Sequence, residues 1–263
     1  MDSFPIASFA LIAIGAFVAG GMNAMAGGGT FFSFPALLAA GVPPVMANAS
    51  NTVALWPASL SSAWAYRREL ERHRRFALLL IGASFVGGIC GGLLLLATSN
   101  AAFAQLIPWL LLTATALFAF AGHVQRIVAW LRQRLGAAPA GENPGSLGGA
   151  AFQIVVAVYG GFFGAGLGIL MMAALAIQGF KDMQEMNALK NVASAVSYTV
   201  AAITFIVAGA ISWPHTLLML VTATLGGYVG ALFARRLPAL WLRRLVVGVG
   251  STMTVIYFYK TYF

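Results

Sequence analysis

The chain has 263 residues, of which 60% are hydrophobic and only 8% charged, against roughly 25% charged in an ordinary soluble domain. Fifteen Lys and Arg against six Asp and Glu give a net charge of +9, but the basic residues stand in short runs between long apolar stretches, the layout of a polytopic membrane protein and not of a nucleic-acid surface. The composition excludes a soluble globular enzyme, a disordered chain and a disulfide scaffold, the last because Cys90 is the only cysteine.

The opening residues, MDSFPIASF, contain no basic stretch and precede no cleavage motif, so the first segment is expected to stay in the mature protein. A membrane span needs about 20 apolar residues. The first apolar region, 6–40, is interrupted by Gly27, Gly28 and Gly29, and the piece after the break, 30–40, has 11 residues. At about 1.5 Å per residue that is roughly 16 Å, half the hydrocarbon thickness. We read the region as a helical hairpin that enters and leaves on one side, although its first arm, 6–25, is long enough to cross alone. Spans follow at 45–66, 76–97 and 102–123. The first of these carries Asn48, Ser50, Asn51 and Thr52, then Trp56 and Pro57, where a kink or hinge can sit. Segment 123–135 sets apolar residues against basic ones, as a helix end running into the interface does.

Residues 133–148 are rich in Gly, Pro, Ala and Ser and read as a cytoplasmic linker. The next region, 149–178, is again broken, around Gly164, Gly166 and Gly168, and its second piece, 168–178, again has 11 residues. Spans at 184–210, 213–234 and 240–259 complete the chain. Charge asymmetry tests this layout. With both broken regions as hairpins, every Lys and Arg except Lys260 falls on the cytoplasmic side, 14 of 15. With both as full spans, six are misplaced. The count favours the second hairpin and is neutral on the first. Both termini then lie on the outer face.

An internal repeat ties the halves together. AGGGTFFSFPALLAAG (26–41) resembles GAGLGILMMAALAIQG (164–179) at an offset of 138, pairing Gly28 with Gly166 and Gly41 with Gly179; after two extra residues Asn51 pairs with Asn191. A hairpin plus three spans crosses the bilayer an odd number of times, so the second copy is expected to be inverted. The fold expected is an all-α polytopic membrane protein with two inverted repeats, 1–132 and 149–263, each a glycine-broken hairpin plus three transmembrane helices.

Backbone left open at membrane depth costs several kcal/mol per group unless something satisfies it, so each break implies a protein-lined cavity. Behind it a half-helix starts, at Thr30 and at Gly168, with unpaired N–H groups and the positive end of its dipole. Two such ends meeting near the midplane make an anion site without a buried cation. Gly27, Gly28, Gly29, Thr30, Gly164, Gly166 and Gly168 are therefore candidate backbone donors. The alternative is that the glycines only let helices pack closely. Asn51 and Asn191 offer amide donors to an anion or an interhelical hydrogen bond, two readings that stand side by side. Asn23 flanks the first break. Lys190 lies inside a predicted span, where it either snorkels to the interface or attracts an anion.

Catalytic readings fail. His73, His123 and His215 are scattered, no metal-ligand spacing or nucleotide motif is present, and all six acidic residues fall in predicted loops or at span ends. No enzyme activity, metal, cofactor or nucleic-acid partner is expected.

At AGGGTFFSFPALLAAG, PPVMANASNT and GGFFGAGLG the chain resembles the sulfite exporter TauE/SafE family of membrane transporters, over nearly its whole length. Where that family shows glycines and then a Pro before Leu-Leu in each copy, the first copy here keeps Pro35 and the second has Ala173. The resemblance implies transport of sulfite or other sulfur-containing anions, such as sulfonates, across the bacterial inner membrane. The expected function is a secondary transporter holding a small anion between the two half-helix ends; a passive anion channel of the same architecture is the alternative that the sequence leaves open.

Overall fold

A computed structural model describes residues 6–25, 28–65, 67, 70, 73–134, 147–178, 180, 182–233 and 239–263. Gly27 and most of the expected linker lie outside the described residues. Among those described, the chain is all helix: α1 (Ile6–Met25), α2 (Thr30–Ala39), α3 (Pro44–Ala65), α4 (Arg74–Ala97), α5 (Asn100–Arg134), α6 (Leu147–Phe162), α7 (Leu167–Ile177), α8 (Met183–Val207), α9 (Trp213–Phe233) and α10 (Ala239–Tyr262). Four of these contain stretches long and apolar enough to cross a membrane: Ile6–Asn23, Arg74–Ala97, Asn100–Phe120 and Gln184–Val207. Their outward faces are oily, as in Leu78, Leu79, Phe85 and Val86 on α4, because lipid replaces water as the solvent there. Helices α3 and α10, at 22 and 24 residues, are long enough as well, but Asn48, Ser50, Asn51 and Thr52 on one and Arg243, Arg244 and Lys260 on the other lower their hydropathy.

The helix boundaries follow the sequence with one difference, at the end of α5. The first arm, α1, is itself one of the four apolar helices of crossing length, so the two broken regions have unequal first arms, 20 residues in α1 and 16 in α6. Helix α5 does not stop at 123; it runs unbroken for 35 residues to Arg134, taking up the amphipathic segment expected at the interface.

Glycines decide how the long helices meet. A Cβ added at Gly20 would collide with the carbonyl of Ala223, and one at Gly226 with the carbonyl of Phe17, so α1 and α9 touch backbone to backbone. Helices α4 and α6 do the same through Gly87, Gly91 and Gly161. In lipid, where burying apolar surface gains little, such close approach is the main source of helix association. Helix α3 also packs on α8, and α5 on α10, while the short α2 and α7 fit inside, against α1, α3 and α10 and against α5, α6 and α8.

The molecule has two distinguishable ends. One carries Arg67, Arg74 and Arg75 and the start of α8; the other carries the uncharged turns after α2, α4 and α8. The interior of the uncharged end is filled by buried rings. Phe34 meets Phe103 and Phe163 edge-on at centroid distances of 6.4 and 5.6 Å, and Phe103 meets Phe162 at 5.5 Å.

Candidate functional site

Both breaks are built on left-handed glycines, the backbone region that side chains disfavour. Gly28 has φ +83°, Gly164 +79° and Gly166 +77°. The two residues that the sequence repeat pairs, Gly28 and Gly166, thus share an unusual conformation at the mouths of α2 and α7. Gly41 is left-handed too; its repeat partner Gly179 lies outside the described residues.

Side chains satisfy the backbone groups that the breaks expose. At the first break, Gly29 N donates to Asn23 Oδ1 at 3.1 Å, and the Gly29 carbonyl accepts from Phe32 N at 2.9 Å. At the second, the Tyr159 hydroxyl donates to the Ala165 carbonyl at 2.7 Å and the Tyr198 hydroxyl to the Gly164 carbonyl at 3.4 Å. Asn48 Nδ2 reaches the Phe162 carbonyl at 2.8 Å. The carbonyls are thereby taken up. The first amides of α7 are not: Leu167, Ile169 and Leu170 bond back to Gly164 and Gly166, which leaves Gly166 and Gly168 N–H without a backbone acceptor among the described residues. They are the unpaired donors that every helix start presents.

One cavity of about 230 Å³ joins the two breaks. A single water needs only roughly 10–15 Å³ of such space, so the volume suits a ligand of several heavy atoms. Gly28, Thr30 and Asn23 wall it from the first break, and Gly164, Gly166 and Gly168 from the second. Helix α3 contributes Leu55, Ser59 and Ser62, and α8 contributes Lys190, Asn191, Ser194 and Tyr198. From the breaks these walls run toward the C-terminal end of α3 and the N-terminal end of α8, the basic end of the molecule. Leu55, Phe118, Leu167, Ile169 and Met172 give the space an apolar side. Lys190 passes close over Gly168: a Cβ there would stand 3.5 Å from Lys190 Cδ. Among the described residues no carboxylate is paired with Lys190; the acids nearest in sequence are engaged elsewhere. Asp182 caps α8, accepting from Gln184 N at 2.7 Å and Glu185 N at 3.0 Å, and Glu185 pairs with His73 at 3.1 Å.

Of the residues singled out from sequence, Asn23, Gly28, Thr30, Gly164, Gly166, Gly168, Lys190 and Asn191 come together on this cavity. Gly29 lies beside it as the residue preceding α2, and Gly27 is outside the described residues. Asn51 behaves differently from its repeat partner. It is 2% exposed and not on the wall; its amide oxygen takes the Ser33 hydroxyl and its amide nitrogen donates to Thr30 Oγ1 at 3.4 Å. It steadies the first turn of α2, the interhelical reading. Sequence reasoning missed Ser59, Ser62, Ser194, Tyr198 and Phe118. Ser194 and Tyr198 follow Asn191 at three- and four-residue spacing on α8, a face that could have been traced once Asn191 was chosen, while Ser59 and Ser62 stand three apart on α3. Among the described residues no three His, Cys, Asp or Glu gather into a metal site.

Comparison with known proteins gives the family. The family described as Sulfite exporter TauE/SafE matches residues 12–257. A probable membrane transporter protein of Haemophilus influenzae is 28% identical over 242 residues, 90% of this chain and 89% of the relative. The probable membrane transporter protein YfcA of Escherichia coli K12 is 26% identical, covering 94% and 88%. The probable membrane transporter protein ORF9 of a Sinorhizobium species is 25% identical, covering 94% and 90%. No solved structure matches the chain. With nearly its whole length matched and several apolar helices of crossing length, this multi-pass membrane protein belongs to the sulfite exporter TauE/SafE family of transporters.

Proposed function

We propose that the protein is a secondary transporter that moves a small sulfur-containing anion, sulfite or an organosulfonate, across the bacterial inner membrane by alternating access. The observation that carries the reading is the single cavity walled by Gly28 and Thr30 on one side and Gly164 to Gly168 on the other, with Lys190 over Gly168. Amides at helix starts, one ammonium and the side-chain amide of Asn191 suit the three oxygens of a sulfite or sulfonate head, which accept but do not donate when ionised. The apolar wall of Leu167, Ile169 and Met172 accommodates a short carbon chain.

Alternating access draws support from the packing. Exchanging α1–α5 with α6–α10 carries the α1–α9 contact onto α6–α4, α2–α3 onto α7–α8, and α5–α7 onto α10–α2, and all of these pairs occur. That interchange is what two inverted copies, 1–132 and 149–263, would produce. The cavity reaches toward the basic end while buried rings fill the other, the asymmetry of one state of a carrier. By charge asymmetry the basic end is cytoplasmic and both termini are periplasmic.

The test is sulfite flux in proteoliposomes. A carrier shows counterflow, in which unlabelled sulfite on the far side speeds entry of labelled sulfite. Single-channel currents without counterflow would replace the carrier by a passive channel. No flux of sulfite, thiosulfate or small sulfonates would refute the reading.

A further inference from the structure

Arg243 looks, by sequence, like one more cytoplasmic topology charge. Its guanidinium is used otherwise. Nε donates to the Phe118 carbonyl at 2.8 Å and Nη2 to the Ala119 carbonyl at 2.5 Å, so one planar fork on α10 grips two consecutive carbonyls of α5. Each carbonyl has a second lone pair beyond the one used by its own helix, and a charge-assisted pair of this kind is among the stronger hydrogen bonds a protein makes.

The gripped turn is the part of α5 that touches both glycine breaks. The Phe118 ring lies on the cavity wall and against Gly28, so closely that a Cβ added there would stand 2.8 Å from Phe118 Cζ. It also meets Phe31, in the first turn of α2, edge-on at 5.7 Å. On the same stretch of α5, Ala114 and Leu117 face Gly166, with their nearest atoms 3.6 and 3.8 Å from the position of a Cβ. Val246, one turn along α10 from Arg243, closes on Gly28 as well, at 3.3 Å.

We infer that Arg243 is a positioning residue for anion binding: through two backbone carbonyls it holds the 114–118 turn of α5 as the shared wall of both breaks, without touching the anion itself. The inference rests on the transport reading for its effect on affinity, but its geometry stands independently. Lysine keeps the charge that sets topology yet offers a single point donor in place of a fork. That difference separates positioning from topology.

The test uses the full-length protein with Cys90→Ser and a reporter, Thr30→Cys, on the same cavity wall as Phe118. Arg243→Lys, Phe118→Leu and the double variant are compared with Arg244→Lys as control. Labelling of the reporter thiol by a charged methanethiosulfonate is followed in detergent. Sulfite KM and maximal rate are measured in proteoliposomes without the reporter. Arg243→Lys is expected to speed labelling several-fold and to raise KM about tenfold with little change in maximal rate. Phe118→Leu should do the same, and the double variant should be no worse than Phe118→Leu. If Arg243→Lys leaves both labelling and KM as in the control, the inference is overturned. Should Arg243→Lys fail to fold, Phe118→Leu alone decides: unchanged labelling overturns it. If the parent protein carries no sulfite, the transport reading fails, and labelling still judges the role of Arg243.

Discussion

Replacing Lys190 with methionine removes the ammonium from the cavity wall while keeping most of the side chain's length. Lys190 Cδ stands 3.5 Å from where a Cβ on Gly168 would be, and Nζ lies two bonds further on. At a separation of about 5 Å between the ammonium and an anion held by the Gly168 amide, unit charges attract by roughly 3 kcal/mol at an effective dielectric of about 20. Full loss of that attraction weakens binding roughly a hundredfold, at about 1.4 kcal/mol per decade. Lys190 is half-buried, so solvent and salt screen part of it, and we expect a Kd for sulfite roughly 30- to 100-fold weaker. Calorimetric titration of the detergent-solubilised protein measures it directly. Lys190→Arg, which keeps the charge, should stay within about tenfold of wild type on the same scale. A methionine variant that binds sulfite within about threefold of wild type would refute the electrostatic argument and return Lys190 to the snorkelling role.

Other substitutions separate binding from architecture. Gly166→Ala forces a side chain into φ +77° while meeting nothing closer than 3.6 Å, so it should lower stability by about 1–2 kcal/mol through backbone strain alone, read as a fall in melting temperature. Asn51→Ala should lower stability by about 0.6 kcal/mol per lost hydrogen bond with KM changed little, whereas Asn191→Ala should raise KM with stability kept; equal KM effects in both would contradict the different places of the two asparagines. Tyr159→Phe leaves the Ala165 carbonyl without its donor and should cost about 1–3 kcal/mol, checked by denaturation in detergent. Gly226→Leu drives a side chain into the backbone of α1 and should abolish the folded protein, seen as loss of the monodisperse peak in size-exclusion chromatography.

Much of the fold was legible because its signals are one-dimensional. Apolar length marks the helices, and a glycine cluster followed by an 11-residue apolar piece marks each break; α2 starts at Thr30 and α7 one residue before Gly168. Glycines that pack helices could not be told from glycines that break them: Gly20 and Gly226 sit in apolar sequence much like that around Gly164, and only the neighbouring backbone separates the roles. The repeat pairs Asn51 with Asn191, yet one turns to the hydroxyls of α2 and the other to the cavity. Ser33 supplies the partner in the first copy; the residue at the same offset in the second is Met171, whose sulfur is met by Ser194. Phe118 and Arg243 carried no signal, since an aromatic in a span and an arginine at a span end are ordinary. Their pairing depends on α5 and α10, far apart in the chain, lying side by side.

The central claim is that an anion sits between the two breaks. Selenite, a heavier analogue of sulfite, makes this visible: an experimental map of the protein with bound selenite, using the selenium anomalous signal. The account predicts a single strong peak between Gly28 and Gly168, within hydrogen-bond reach of the Gly166 or Gly168 amide and near Lys190. Selenium found only at the surface, with the space between the breaks filled by lipid or by moved side chains, would contradict it.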